Sequence, residues 1–400
     1  MSFVYYIENI AGGVVTAAQT MANAQLAVLN QAGSSDLQLW RFTNEGYFVL
    51  NSSSPELCLS VVQDSLQNGS LVTLAPKGAQ NYLQTWVYNT AKNGFSLVAN
   101  SNYFLTSGLG GSGGPVVYVS TESNTPLTQW RLGFDWALEQ QFYFSDGADI
   151  DRTVWQSPQW ISSNNNPSFF GQTSIRNPAD FSPPIGYVPV VNNTAQLCLS
   201  TFNPLAAAQG NPDFLGAQIG TINQWGLPSY DAVAFEANVV LPQTAPGGVV
   251  ASLFAYNLIQ QAPFLHDEID FELSSNYWGD SQPQINTNVY VVTGQSMPNY
   301  DHVVTSQIGL TGTVTLRIEW SQAGVSWYIN KDQNPAPIYT ETNVPQTDMS
   351  LVLNFWVPDS GWNWAYDSSL VPAANQPGQQ WEYQVNWAKV WVVKKQASSC

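Results

Sequence analysis

The chain has few charged residues, and most of those it has are acidic. Only 10% of its 400 residues are charged, and 11 Lys and Arg stand against 28 Asp and Glu, a net charge of -17. Proteins that bind nucleic acid through its phosphates need basic patches, so no nucleic-acid partner is expected. Aromatic residues make up 13% of the chain and include 16 Trp. Such a composition suits a neutral, polyhydroxylated partner instead.

Histidine and cysteine are also scarce. The two histidines, His266 and His302, are too few for a histidine-rich metal site, and no nucleophile elbow accompanies them to suggest a Ser-His-Asp triad. The three cysteines, Cys58, Cys198 and Cys400, show neither zinc-site spacing nor a disulfide framework. We therefore expect two buried thiols and one free C-terminal thiol.

Long apolar runs are absent as well. No stretch of about 18 apolar residues occurs, so no membrane span is predicted. The first six residues lack the basic segment and apolar run of a signal peptide. The location is therefore unknown: the cytoplasm, or outside the cell after removal of a leader or by non-classical export. Of these we favour the outside.

Against this background, four acids are crowded into residues 266–273, His-Asp-Glu-Ile-Asp-Phe-Glu-Leu. Glu268, Asp270 and Glu272 alternate with apolar residues, which predicts a β-strand with all three carboxylates on one face. Such a face could simply be solvated. However, three like charges on one face repel each other, which favours a catalytic use.

The spacing of the outer two acids fits one reaction in particular. The Cα atoms of Glu268 and Glu272 would be about 13 Å apart at roughly 3.3 Å per residue. Side chains that lean together across a curved strand could bring the carboxyl groups to about 5–5.5 Å, the separation found in retaining glycosidases.

Residues 1–134 repeat a pattern three times. Trp40, Trp86 and Trp130 close segments of short strands and Gly, Asn and Ser turns. Three such repeats predict a closed all-β unit with internal pseudo-symmetry, in which these tryptophans belong to the core.

Gln38-Leu39-Trp40 and Gln84-Thr85-Trp86 carry the Gln-x-Trp motif, and Gln129-Trp130 is a degenerate third copy. The segment thus resembles the ricin-type β-trefoil lectins. The resemblance places the family's sugar-binding Asp positions at Thr16, Ser60 and Thr106. A hydroxyl cannot replace a carboxylate that accepts two sugar hydroxyls, so we expect the fold more than the binding.

From about 142 to 396 the sequence again alternates as strands, with the clearest at 231–241, 249–256, 314–320, 325–329, 351–356 and 385–393. About 250 residues of this kind predict a large two-sheet β-sandwich. Trp320, Trp327 and Trp387 lie inside these strands and are interpreted as core residues.

This second segment resembles glycoside hydrolase family 16, in its Glu-x-Asp-x-Glu branch of lichenases and xyloglucan endotransglycosylase/hydrolases. The resemblance rests on residues 266–272 followed by Ile285-Asn286-Thr287-Asn288-Val289-Tyr290, and on segments such as Ser252 to Tyr256 and Leu353 to Trp356 in the family's order. It implies an all-β chain, a β-trefoil followed by a concanavalin-like β-jelly-roll sandwich.

By this resemblance Glu268 is the nucleophile, Glu272 the general acid/base, and Asp270 the residue between them. The implied reaction is retaining, endo-acting hydrolysis or transglycosylation of a β-linked glucan. No cofactor is required, although many members bind a structural calcium ion, whose ligands this sequence does not identify. The substrate-binding candidates are Tyr256, Trp278, Asn286, Asn288, Trp356, Trp362 and Trp364. The alternative is a two-domain lectin with little or no catalytic activity.

Overall fold

The computed structural model describes residues 4–9, 11–29, 36–43, 45–62, 66–79, 81–89, 92–109, 115–123, 125–134, 136–157, 171–176, 187–204, 213–259, 265–293, 298–334 and 336–395. These residues form 28 β-strands and one short 3-10 helix, Asn81–Leu83, and contain no α-helix. Within them, no helix has the length and apolar character needed to cross a membrane. The predicted all-β class is confirmed.

The chain divides into two compact units, Met1–Trp136 and Ala137–Cys400. The first contains β1 (Val4–Asn9), β2 (Val14–Ala17), β3 (Leu26–Leu29), β4 (Trp40–Phe42), β5 (Phe48–Leu50), β6 (Leu57–Val61), β7 (Val72–Pro76), β8 (Trp86–Asn89), β9 (Gly94–Leu97), β10 (Phe104–Leu109), β11 (Pro115–Ser120) and β12 (Trp130–Phe134). Strands β1 to β7 form one sheet, which β12 joins beside β1, and β8 to β11 form the other.

The three closing tryptophans are the core of this unit, as predicted. Trp40, Trp86 and Trp130 are 0%, 1% and 2% exposed. Their indole N–H groups donate to the carbonyls of Val15, Leu59 and Leu105, at 3.0, 3.4 and 2.7 Å. Because the same contact recurs once in each repeat, the repeats form a β-trefoil with pseudo-threefold symmetry.

The second unit contains β13 (Ala137–Tyr143), β14 (Trp155–Gln156), β15 (Thr173–Ile175), β16 (Val190–Val191), β17 (Thr194–Ser200), β18 (Phe214–Thr221), β19 (Tyr230–Val240), β20 (Val250–Ile259), β21 (Leu265–Ser274), β22 (Gln284–Thr293), β23 (His302–Thr305), β24 (Thr313–Ser321), β25 (Gly324–Ile329), β26 (Tyr339–Glu341), β27 (Ser350–Trp356) and β28 (Gln380–Lys394). The hydrogen-bonded order is β23-β22-β21-β20-β27-β18-β17-β28-β19-β24-β25-β26.

This path folds into two layers that share one apolar core. Ile269, Phe271 and Leu273 of β21 point into that core together with Phe235 of β19 and Ile318 of β24. The unit is therefore a jelly-roll sandwich, in which β18, β20 to β23 and β27 form the layer that carries the acidic strand. The layer that contains β19, β24, β25 and β28 is called the outer sheet below.

Several details differ from the sequence-based expectations. Strand β13 pairs with β28 from Ala137 to Tyr143, just ahead of the segment that the sequence analysis begins near residue 142. Trp320 and Trp327 are buried as predicted, but Trp387 is half-buried at the surface, where Lys389 Nζ lies 4.0 Å from its ring centroid.

The cysteines follow the expectation in part. Cys58 is buried and free, as expected, whereas Cys198 is free but only half-buried. Cys400 lies outside the described residues.

Candidate active site

Strand β21 lies in the middle of its layer, between β20 and β22. In the antiparallel register Glu268 is opposite Tyr256 and Tyr290, Asp270 opposite Phe254 and Asn288, and Glu272 opposite Ser252 and Asn286. Residues directly opposite each other point to the same face of a sheet. The three acids therefore share one face with this set of aromatic and polar neighbours, here called the cleft face.

The strand is held in place from its other face. Ile269, Phe271 and Leu273 are fully buried, and the indole N–H of Trp327 on β25 donates to the carbonyl of Asp270 at 2.8 Å. This contact joins the two layers directly beneath the central acid. The alternation predicted from sequence is thus confirmed, and it fixes the direction of each carboxylate.

The fourth acid of the motif has a different task. Asp267 Oδ2 accepts hydrogen bonds from Gln346 N at 3.1 Å, Thr347 N at 3.0 Å and Thr347 Oγ1 at 2.8 Å. Asp267 is buried on the face opposite the cleft. It therefore anchors the loop before β27 to β21, and the crowded acids divide into one loop anchor and three cleft residues.

Burial raises the pKa of all three cleft carboxyl groups. For Glu268, burial and the charge of Glu272 raise the pKa, whereas a hydrogen bond with Asp270 lowers it. The net result is a pKa of about 8. For Glu272, burial and the charges of Asp270 and Asp301 all raise the pKa, and it lies well above its usual range. The pKa of Asp270 is raised well above its usual range by burial and by Glu268.

The causes of the pKa shift differ between the two glutamates. Glu268 has a partner that favours its charged form, whereas every contribution at Glu272 favours the proton. The surroundings of the two glutamates therefore differ, although burial raises the pKa of both.

A histidine lies beside Glu268, on the same face of the same strand. His266 Nε2 is 2.5 Å from Glu268 Oε2. The imidazole stacks on the ring of Tyr290 at a centroid distance of 4.9 Å and meets the edge of Tyr256 at 5.4 Å. The sequence marked His266 only as a neighbour of the acids, because nothing in a strand pattern predicts ring orientation.

Both predicted asparagines are on the cleft face and are almost fully buried. Asn286 Nδ2 donates to Asp301 Oδ1 at 2.5 Å, so its amide is already engaged. Asp301 lies just before β23 and adds a fourth carboxylate near Glu272. No local pattern marks Asp301, so the sequence did not identify it.

Other polar atoms on the cleft face have no partner. Among the described residues, Ser252 Oγ, Asn288 Oδ1 and Asn354 Oδ1 are buried without a hydrogen bond. Asn354 pairs with Ser252, which pairs with Glu272, so the three strands form one polar row. Buried polar atoms are nearly always satisfied in native proteins. This row is therefore suited to a ligand that carries several hydroxyl groups.

The aromatic candidates separate into two groups. Tyr256 is half-buried on the cleft face, opposite Glu268. Trp278 was predicted to bind substrate, but it is only 2% exposed and belongs to the core. Its position in a loop suggested exposure, yet its ring packs on Phe355, with centroids 6.5 Å apart.

The remaining tryptophans stack on one another. Trp362 lies between Trp356 at 5.7 Å and Trp364 at 5.2 Å, and Trp364 stacks in turn on Tyr277 at 5.5 Å. Trp362 and Trp364 are tilted by 44°, so the four rings pack into one aromatic wall rather than separate platforms. The outer faces of the wall belong to Trp356 and Tyr277.

The three lectin candidates are poorly placed to contact a sugar. Ser60 and Thr106 are buried, and their hydroxyls donate to the carbonyls of Val61 and Phe104. Thr16 is half-buried and accepts a hydrogen bond from Gln38 Nε2 at 3.0 Å. All three positions thus serve the trefoil's own hydrogen bonding.

No metal centre is evident in the described part of the chain, where no three His, Cys, Asp or Glu residues cluster in a way that could hold an ion. The structural calcium ion implied by the family resemblance therefore stays a prediction without assigned ligands.

The second unit is thus an all-β sandwich with three buried carboxyl groups on one strand. Residues 3–130 match the model of the ricin-type beta-trefoil lectin domain, and residues 230–389 match that of glycosyl hydrolases family 16. The chain thus combines a segment that matches the ricin-type lectin model with a segment that matches the family 16 model, and the second match contains all three cleft acids.

Several solved structures are similar to the chain. They include a prokaryotic beta-1,3-1,4-glucanase (lichenase) derived from a mouse hindgut metagenome, 15% identical, with a TM-score of 0.42 over 64% of this chain and 100% of that one. The Bacillus licheniformis beta-glucanase is 19% identical, with a TM-score of 0.42 over 64% and 98%. LamAcat from Zobellia galactanivorans is 13% identical, with a TM-score of 0.45 over 64% and 97%. No curated protein matches the chain.

Proposed function

We propose that the sandwich is a retaining, endo-acting glycoside hydrolase or transglycosylase of β-linked glucans, with Glu268 as nucleophile and Glu272 as general acid/base. The observation that carries the proposal is the set of three buried carboxyl groups on one strand face. At Glu268 a hydrogen bond lowers the pKa against the effect of burial, whereas at Glu272 burial and the neighbouring charges all raise the pKa. A retaining mechanism needs this division of labour.

In the first step ionised Glu268 attacks the anomeric carbon while Glu272 protonates the leaving oxygen. The glycosyl ester neutralises Glu268, which removes one negative charge from the neighbourhood of Glu272. Glu272, now a carboxylate, then deprotonates an incoming water or sugar hydroxyl, and Glu268 is released. Asp270, joined to Glu268 by a hydrogen bond, orients the nucleophile. Hydrolysis and transfer share this intermediate, so they differ only in the acceptor.

The groups around the acids support a neutral sugar chain as substrate. Ser252 and Asn354 offer unpaired polar atoms in the row of Glu272, and Asn288 offers one in the row of Asp270. Tyr256 and Trp356 provide apolar surface beside these rows. Sugars are bound by this combination of rings and in-plane hydrogen-bonding groups. For the β-trefoil we propose carbohydrate binding on its family membership, outside Thr16, Ser60 and Thr106.

The test is to incubate the protein with barley mixed-linkage glucan, laminarin and xyloglucan, following reducing ends and product lengths. Wild-type protein should shorten at least one polymer, and Glu268→Gln should lower that activity by about 10³-fold or more. Longer as well as shorter products would identify transfer. The matched control is Glu382→Gln, an exposed glutamate on β28, which should retain full activity.

A different outcome would identify a lectin. If wild-type protein leaves every polymer intact but binds glucans on a glycan array, the enzymatic proposal fails. The conclusion would then be a two-domain carbohydrate-binding protein.

A further inference from the structure

We infer that His266 is a positioning residue, which holds Glu268 ready for attack by donating its Nε2–H to Glu268 Oε2. The inference rests on the proposed function, since it gives a role to a neighbour of the nucleophile. It begins with the 2.5 Å separation of the two atoms, which are two residues apart on one strand face.

The ring is held so that this nitrogen points at the carboxylate. Tyr290 covers one face of the imidazole, with an angle of 13° between the rings. Tyr256 packs against it at 68°, from the strand on the other side of β21. His266 is also buried, so its ring has little freedom to turn away. A side chain locked by packing is what a precisely oriented carboxylate requires.

The groups that face the pair favour a neutral imidazole. Burial lowers the pKa of His266, and the charge of Asp267 on the opposite face of the strand opposes this only in part. Burial raises the pKa of both tyrosines, so their phenols remain protonated and bring no charge. A neutral histidine beside an ionised glutamate must carry its proton on Nε2 to form the hydrogen bond.

Two hydrogen bonds then hold Glu268, one from His266 and one with Asp270. The hydrogen bond from His266 reaches Oε2 of the carboxylate. A donor to the charged form stabilises it, so His266 lowers the pKa of the nucleophile relative to a site without this donor. The charge of Glu272 acts in the opposite direction and raises the pKa of Glu268.

Two variants separate the two properties of the imidazole, its flat ring and its hydrogen-bond donor. His266→Phe keeps a ring that can stack on Tyr290 but removes the donor. His266→Gln places an amide N–H at nearly the reach of Nε2 but removes the ring. If His266 positions the nucleophile, the Phe variant should lose about 10- to 100-fold in kcat/KM and the Gln variant much less. If the residue only fills space, the order of the two variants should be reversed.

The pH profile of kcat/KM separates positioning from packing further. Loss of the donor raises the pKa of Glu268, so the acidic limb of the profile should move up by about one pH unit in His266→Phe. In His266→Gln it should remain near its wild-type place. His302→Gln, at the only other histidine of the chain, is the matched control and should leave the limb unmoved. An unmoved limb in His266→Phe would overturn the inference.

A second measurement does not depend on activity. With only two histidines, the imidazole nitrogens of His266 can be assigned by NMR against His302→Gln. At a pH above the Glu268 pKa of about 8, the wild type should show the Nε2–H tautomer, and Glu268→Ala should abolish that preference. If the tautomer of His266 is unchanged in Glu268→Ala, the inference is overturned even in an active enzyme. If the wild type is inactive on every glucan but shows the Nε2–H tautomer, the proposed function is refuted, and with it the role of His266 in catalysis. The hydrogen bond between His266 and Glu268 would still be supported.

Discussion

The buried acids of the two sheets differ in whether a basic side chain pairs with them. On the outer sheet, Glu319 lies 2.6 Å from Arg317 Nε and also contacts Lys331, while Arg317 Nη1 lies 3.4 Å from Glu236. On the cleft face, none of the three acids forms an ion pair with Lys or Arg within the described part of the chain.

The pKa directions follow this difference. Burial alone would raise the pKa of Glu319, but Arg317 and Lys331 more than offset it and the pKa is lowered. Glu272 is buried too, has only like charges nearby, and its pKa is raised. The paired acids are therefore held in their charged form and depend on their partners, whereas the unpaired acids favour the protonated form.

The largest expected effect comes from breaking the paired set. Arg317→Met leaves Glu236 and Glu319 buried without their shared partner, and it should lower the free energy of unfolding by about 3–5 kcal/mol. Urea unfolding at neutral pH measures this. Lys389→Met is the control, because its ammonium lies over the Trp387 and Trp391 rings, 4.0 and 5.7 Å from their centroids, and should contribute about 1 kcal/mol or less. Equal effects of the two variants would contradict the comparison.

A smaller loss is expected on the acidic strand itself, at its one anchored acid. Asp267→Asn weakens the three hydrogen bonds that bind the loop at Gln346 and Thr347. Hydrogen bonds to a charged group contribute about 1.5–3 kcal/mol, so stability at neutral pH should fall by about that amount. Thermal unfolding is the measurement, and a variant as stable as wild type would show that Asp267 is dispensable as an anchor.

The smallest expected effect has the opposite sign. Glu272 has a raised pKa, so its ionisation disfavours the folded state as pH rises above the unfolded value of about 4.3. Glu272→Gln should therefore raise the free energy of unfolding by about 1 kcal/mol or more at pH 7, or Tm by about 2–4 °C. At pH 4 it should change the free energy of unfolding little. Melting curves at both values check this; a gain that persists at pH 4 would have another cause than charge. Activity should be lost with the acid.

Much of the fold followed from local patterns. The spacing of Trp40, Trp86 and Trp130 predicted three repeats with a shared core, and the alternation around Asp270 predicted one acidic and one apolar face. Both were confirmed because each depends on periodicity within a strand or repeat. The expectation that Trp278 is exposed to substrate was wrong, since its position in a loop says little about whether a large ring packs inward.

Sequence by itself determined which side chains share a face, because successive residues of a strand point to opposite sides through local covalent geometry. It also separated Asp267 from the three cleft acids by parity alone. Tertiary structure decided what each face meets: the loop at Asp267, the rings of Tyr256 and Tyr290 around His266, and Asp301 near Glu272. Burial and charge are sums over neighbours distant in the chain, so the proton affinities that suit Glu268 and Glu272 to chemistry arise only on folding.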